Sequence, residues 1–213
     1  LEPAAVICEI LKDDGTMARL PDLIEFARAH GLKIGAIADL IHYRSANERL
    51  VEAVAEKEIV CSHGRFRLCA FRDKTSDQVH LALAAGEITP ERETLVRVHE
   101  PISVLDSLAW QSQRPRFSVE QAMRAIAAHG AGVIVLMRRN ETGQDVLAML
   151  KGGAPSLAPS FTWDPRVYGI GAQILRELNV GRMRLLARPR KMPSTPGFAL
   201  GRTRYLTPEE AKV

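Results

Sequence analysis

Apolar positions along this chain fall into short runs and alternations separated by strong turn signals, the pattern of strands interleaved with helices. Residues 4–11 (Ala-Ala-Val-Ile-Cys-Glu-Ile-Leu) read as a buried strand carrying one acid, Glu9, which is expensive there unless it is paired or sits at the strand's wet end. The punctuation Lys12-Asp13-Asp14-Gly15-Thr16 predicts a turn, Pro21 opens a helix that closes at His30-Gly31, and residues 32–38 read as a further short strand. Residues 43–56 read as a linking helix or an extended connector. Strands then follow over 58–60, 66–71, 79–84 and 94–99, with Phe66, Leu68 and Ala70 alternating against Arg67 and Cys69.

The second half is predicted as helix and strand in turn. Ser118 with Gln121 three residues on forms a capping box for a helix over 119–129, and 131–138 reads as a buried strand. Residues 139–147 read as a turn, running through Leu150 into the loop Lys151-Gly152-Gly153-Ala154-Pro155. Asp164-Pro165 is a helix entry, Ile170, Ile174, Leu175 and Leu178 share one helical face, and Asn179-Val180-Gly181 ends it before a strand over 183–186. Arg202 and Arg204 alternate on a last strand. A capped helix feeding a short buried strand through one turn is a core unit of an α/β or α+β domain. It also groups Asp164, Arg166 and Tyr168 at a helix mouth, where an anion is stabilised.

Composition narrows the partners. The apolar share of 46% is that of an ordinary globular chain, and 29 basic against 25 acidic residues give a formal charge of +4. That mild excess suits a phosphate-bearing small molecule, and the arginine clusters at 65–72, 114–116, 138–139, 182–190 and 202–204 are too scattered for a nucleic-acid stripe, so nucleic acid is not expected. Three cysteines (Cys8, Cys61, Cys69) without framework spacing point to a reducing compartment. No apolar run is long enough for a membrane span and no signal-peptide pattern is present, so the expected location is cytoplasmic, with no membrane partner. The chain runs almost at once from Leu1 into an apolar segment, which reads as a piece of a longer protein.

Two resemblances organise these observations. The words Asp-x-Arg-x-Tyr-Gly-Ile-Gly-Ala-Gln-Ile-Leu (164–175), then Met-Arg-Leu-Leu and a basic Pro-Arg-Lys, closely resemble the last third of GTP cyclohydrolase II. At the other end, Glu-Pro-Ala-Ala-Val-Ile-Cys-Glu-Ile-Leu-Lys-Asp-Asp-Gly-Thr-Met-Ala-Arg, His-Gly-Leu-Lys-Ile and Ile-Ala-Asp-Leu-Ile resemble the end of 3,4-dihydroxy-2-butanone 4-phosphate synthase. Both in one chain resemble the fusion found in bifunctional riboflavin biosynthesis proteins. The resemblance implies an α+β class: a cyclohydrolase-like mixed α/β domain over 58–206, preceded by a terminal fragment of the synthase α/β fold over 1–44, with a linker over 45–57 and a tail from 207. It implies that Glu9 matches an active-site glutamate of the synthase. That family turns ribulose 5-phosphate into the butanone phosphate and formate using magnesium or manganese, whose ligands lie upstream of anything present here. A homodimer is implied as well.

The cyclohydrolase resemblance breaks in a specific place. After Arg97-Val98-His99 the family carries three cysteines whose thiolates hold the zinc that activates water. Here the text is Glu-Pro-Ile-Ser-Val-Leu-Asp-Ser-Leu-Ala-Trp, with Ile102 at the first cysteine's place and no cysteine through Arg116. Zinc is therefore expected to be absent, and Ile102, Val104, Leu105 and Leu108 can fill the vacated space. The family's Gly-Arg-Gly nucleotide turn is replaced by 139–147, and its tyrosine-bearing helix is expected to be missing. What persists is basic and acidic: Asp164 and Arg166 as cyclohydrolase remnants, with Lys191 and Arg138 as substrate-binding positions. Phosphate or nucleotide binding at the Arg166 helix start follows as an expectation.

Three readings result. The first is an inactive cyclohydrolase-like domain that stabilises or regulates a working synthase. The second is an active cyclohydrolase with a different metal site built from His63, His99, Glu100 and Asp106. The third is a non-enzymatic nucleotide or nucleic-acid binder using Arg166, Arg182, Arg184, Arg188, Arg190 and Lys191.

Overall fold

A computed structural model describes residues 2, 4–99, 117–138, 141–151, 165–187 and 201–207. The side chains of 38, 41, 42, 45, 46, 145, 149, 165–168 and 201–203 lie outside that description. The chain divides into two compact units, Leu1–Leu40 and Ile41–Val213.

The first unit is a turn and a helix. Lys12 N–H donates to the Thr16 carbonyl at 2.8 Å, and the Asp14 carboxylate accepts from the Thr16 backbone at 2.9 Å and hydroxyl at 2.6 Å, closing the expected turn beside an isolated Leu11–Met17 bridge. Helix α1 (Leu20–Ala29) follows, with Pro in its first turn and the Asp22 carboxylate accepting the Arg19 N–H at 2.8 Å. The strand expected over 4–11 does not form. Val6 is 97% and Ile7 94% exposed, and the run is irregular. Residues 32–36 are irregular too, and 37 onward is helical, α2 (Ile37–Asn47), where a strand was expected over 32–38. The reason is common to both: a strand's N–H and C=O groups are satisfied by neighbours, and among the described residues of this unit no sheet supplies them.

The second unit is built on a seven-stranded sheet in the order β1-β2-β3-β5-β4-β6-β7. Its strands are β1 (Val51–Cys61), β2 (Gly64–Asp73), β3 (Val79–Ala85), β4 (Glu93–His99), β5 (Gly132–Leu136), β6 (Arg182–Leu186) and β7 (Gly201–Leu206). Neighbours from β1 to β5 pair antiparallel, whereas β5-β4-β6-β7 pair parallel. Helix α3 (Val119–His129) covers one face with Phe66, Leu83, Leu95, Ile126, Ile134 and Leu186; α5 (Pro165–Glu177) covers the other with Phe71, Val96, Val135, Ile174 and Leu185. The Ser118–Gln121 capping box is present, each side chain bonded to the other's N–H at 3.0 Å, and Gly130 closes α3 in the left-handed conformation. The stretch expected to be turn contains a further helix, α4 (Gly143–Leu150), without a tyrosine. Gln144, Leu147, Ala148, Met149 and Leu150 are strong helix formers, and Gly143 costs little at the first position.

Two fastenings hold the sheet's surroundings. The Gln173 side chain of α5 donates to the Glu48 carbonyl and accepts from Leu50 N–H, both at 2.8 Å, while Arg49 grips Glu177 with two guanidinium contacts of 2.6 and 2.9 Å. Glycine permits two close approaches. A Cβ on Gly132 would stand 2.5 Å from Ile126 Cγ1, and one on Gly86, at φ +73°, would run into the Gly130 carbonyl.

Gly86→Ala is therefore expected to lower folding stability by about 2–3 kcal/mol, combining left-handed strain with a backbone collision, read from chemical denaturation. The Asp73 turn predicts a pH effect. Burial raises the Asp73 carboxyl, but hydrogen bonds from Ser76 and Thr75 outweigh it and hold the group below its ordinary value of 3.8. Its stabilising effect is present above that ordinary value and fades as pH falls through the lower folded value. Asp73→Ala, which strands those donors, is expected to cost about 1–3 kcal/mol at neutral pH and to flatten the acid limb of the stability profile.

Candidate functional site

In open α/β sheets, ligands gather outside the carboxyl ends of the parallel strands, because loops and helix N-termini converge there. Here that edge carries His99 at the end of β4 and Met137-Arg138 just past β5. The ladder between them extends one bond further, from Met137 N–H to the His99 carbonyl at 3.1 Å. Helix α5 approaches the same edge, since a Cβ on Gly171 would lie 3.9 Å from Val98 and 4.0 Å from the Met137 sulfur. Its first turn contains the backbone of Arg166 and Tyr168. Asp164 and Lys191 lie outside the described residues, as do Ile102 and the whole of 100–116.

β3 reaches this edge from the antiparallel side and brings a residue that sequence reading overlooked. His80 is 4% exposed, and its Nδ1 accepts the backbone N–H of Arg138 at 3.1 Å. Burial lowers the His80 pKa, and the Arg138 charge lowers it further against the opposing pull of Asp73. The imidazole is thus held neutral, with Nδ1 as the acceptor. Beside it the 73–78 turn is closed on itself. The Asp73 carboxylate accepts from Thr75 N–H at 2.7 Å and from the Thr75 and Ser76 hydroxyls at 2.6 Å, and Asp73 N–H donates to the Gln78 carbonyl at 2.8 Å. Ser76, Asp77, Gln78, Val79 and Arg138 line a cavity of about 360 Å³. The one available signal for His80 was a lone histidine on the alternating face of His80, Ala82 and Ala84, which alone does not distinguish a core histidine from a site residue.

Other expected site residues are dispersed. Glu9 is exposed in the irregular run of the first unit. Arg182 is exposed on β6, and Arg184 has its Nε buried without a hydrogen-bond partner among the described residues. Residues for a metal do not converge: among the described residues, no group of three His, Cys, Asp or Glu side chains is placed to hold one. His63 faces Glu120 at 3.6 Å, and the Cys61 thiol donates to the Gly64 carbonyl at 3.4 Å. Cys69 is buried on β2, where burial pushes its thiol up in spite of Arg67, with Glu56 adding to the rise.

Comparison with known proteins agrees with the geometry. Residues 52–206 match the GTP cyclohydrolase II family and residues 1–43 match 3,4-dihydroxy-2-butanone 4-phosphate synthase. The chain is 44% identical over 210 residues to a Pseudomonas aeruginosa protein named 3,4-dihydroxy-2-butanone 4-phosphate synthase, covering 98% of this chain and 57% of that protein. It is 42% identical to the riboflavin biosynthesis protein RibBA of Aquifex aeolicus, covering 94% and 52% respectively. A crystal structure of RibBX, a two-domain 3,4-dihydroxy-2-butanone 4-phosphate synthase from A. baumannii, superposes with a TM-score of 0.67 at 35% identity, covering 93% of this chain and 52% of that one. The chain therefore spans about half the length of the curated relatives it matches. Over residues 52–206 it belongs to the GTP cyclohydrolase II family, with a synthase-like segment ahead of that domain and without the family's zinc cysteines.

Proposed function

We propose that the protein containing this chain acts in riboflavin biosynthesis as a 3,4-dihydroxy-2-butanone 4-phosphate synthase, converting D-ribulose 5-phosphate to the butanone phosphate and formate. In this reading the second domain is a cyclohydrolase fold that has lost GTP ring opening and serves a structural or regulatory role. The observation that carries the second half is the sequence leaving β4: Arg97-Val98-His99 is intact, and no thiolate donor follows through Arg116. Zinc held by three thiolates cannot be rebuilt from hydrocarbon side chains, and losing every ligand removes the metal itself. The first half is supported by the synthase names of the relatives at 44% identity.

Within that reading, residues 1–44 are the closing part of the synthase fold, 45–57 a linker whose later residues already run in β1, and 58–206 the cyclohydrolase-like domain. The exposed side chains of Val6, Ile7, Leu11, Leu20 and Leu32 suit a segment covered by the rest of a synthase sheet. Glu9 then belongs to the synthase site, with magnesium or manganese bound by residues outside this chain. Asp164, Arg166, Lys191 and Arg138 keep an anion-binding character from the cyclohydrolase ancestor, for a phosphate or nucleotide. The protein works as a cytoplasmic homodimer.

The full-length protein is expected to release formate from ribulose 5-phosphate and not from GTP, with zinc well below one per chain on the same sample. Formate from GTP, or stoichiometric zinc, overturns the loss of cyclohydrolase activity. Glu9→Gln is expected to lower the synthase kcat by roughly 10²–10⁴-fold, the range of a lost acid–base group, with an unchanged unfolding temperature.

A further inference from the structure

We propose that His80 is a positioning residue for Arg138, fixing its backbone so that its guanidinium serves the cavity of the 73–79 turn as a subsite for a phosphate-type oxyanion. This rests on the reading of Arg138 as an anion-binding residue given above, and it adds the residue that places it and the pocket that receives the anion.

Arg138 follows the last bonded residue of β5, where the sheet ladder no longer fixes the chain. Its N–H would be unpaired there, and the buried His80 Nδ1 accepts it at 3.1 Å. The acids nearby are already engaged. Asp73 receives three hydrogen bonds from Thr75 and Ser76, and Asp77 faces the Arg72 guanidinium at 3.6 Å. Arg138 is exposed, and among the described residues its guanidinium has no partner. The cavity is lined by the Gln78 amide and by one guanidinium with no partner among the described residues, while its carboxylate, Asp77, faces Arg72 and its hydroxyl, Ser76, is held by Asp73. About 360 Å³ holds a phosphate together with part of the group that carries it. A planar guanidinium suits such an anion because two of its N–H groups can meet two oxygens at once. That match needs a fixed backbone, which is what His80 supplies.

The test is a titration of the 213-residue chain with inorganic phosphate and with sulfate, followed at the backbone amides of Gln78, Val79 and Arg138. Wild type is expected to show saturable shifts at these amides, lost in Arg138→Gln. His80→Ala should weaken binding about tenfold, the effect of one orphaned hydrogen bond. His80→Asn, whose Oδ1 stands where Nδ1 stood, should restore it to within about twofold of wild type by the same reckoning. If His80→Ala does not fold, the imidazole nitrogen shifts of wild type decide instead, with Nδ1 unprotonated and Nε2 carrying the proton as the expected result. No saturable shift in wild type, or unchanged binding in Arg138→Gln, overturns the anion reading of Arg138 and this proposal with it. Binding lost in Arg138→Gln but unchanged in His80→Ala, or an Nδ1–H tautomer, overturns only the role of His80.

Discussion

Everything in the cyclohydrolase-like domain depends on the burial of β5. Val133, Ile134 and Val135 have no exposed surface, and the strand is bonded antiparallel to β3 on one side and parallel to β4 on the other. It is thus the hinge between the two halves of the sheet. Each of these side chains contributes about 1.5–3 kcal/mol by leaving water. They face alternately toward α5 and α3, so both helices are held by one strand. Gly132 lets α3 approach closely enough for Ile126 to seat, and Met137 meets α5 at the strand's far end. The residue after that contact is Arg138.

This arrangement explains how a catalytic metal site can disappear without loss of the fold. The domain's stability lies in an apolar sheet-and-helix sandwich and in fastenings such as Gln173 and the Arg49–Glu177 pair. None of these requires metal binding to offset chain entropy, unlike small domains that fold only around zinc. The three cysteines lie outside the family's motif: Cys8 is exposed, Cys61 half-buried and Cys69 buried. Arg138 stands exposed just past the end of β5, where a solvated charge costs the fold little.

The first unit shows the opposite dependence. Its helix caps locally through Pro21 and Asp22, and its turn closes through Asp14, so both form from contacts within a few residues. Its apolar segments have no comparable local solution. Val6 and Ile7 belong to a run whose pattern suits a buried strand, yet burial needs neighbours on both edges and faces. Pattern states what a segment prefers, and the partners decide whether it is met.

Elements whose signals are local can be read directly from the chain. The capping box at Ser118 and Gln121, the helix beginning at Pro165 with its apolar face, and the missing cysteines after His99 were all readable, because each rests on residues close together in the chain. α4 was not, because a short helix with weak punctuation reads as a turn. The half-buried alternation expected over Phe66 to Ala70 is not what forms, since Cys69 is buried in the core on the α5 face of the sheet. Long-range packing sets which strands neighbour one another and which residues meet at the sheet's edge. His80 and Arg138 are 58 positions apart, and their hydrogen bond exists because β3 and β5 pair in one register. A shift of one residue would turn His80 to the opposite face, and no local signal in the chain records that choice.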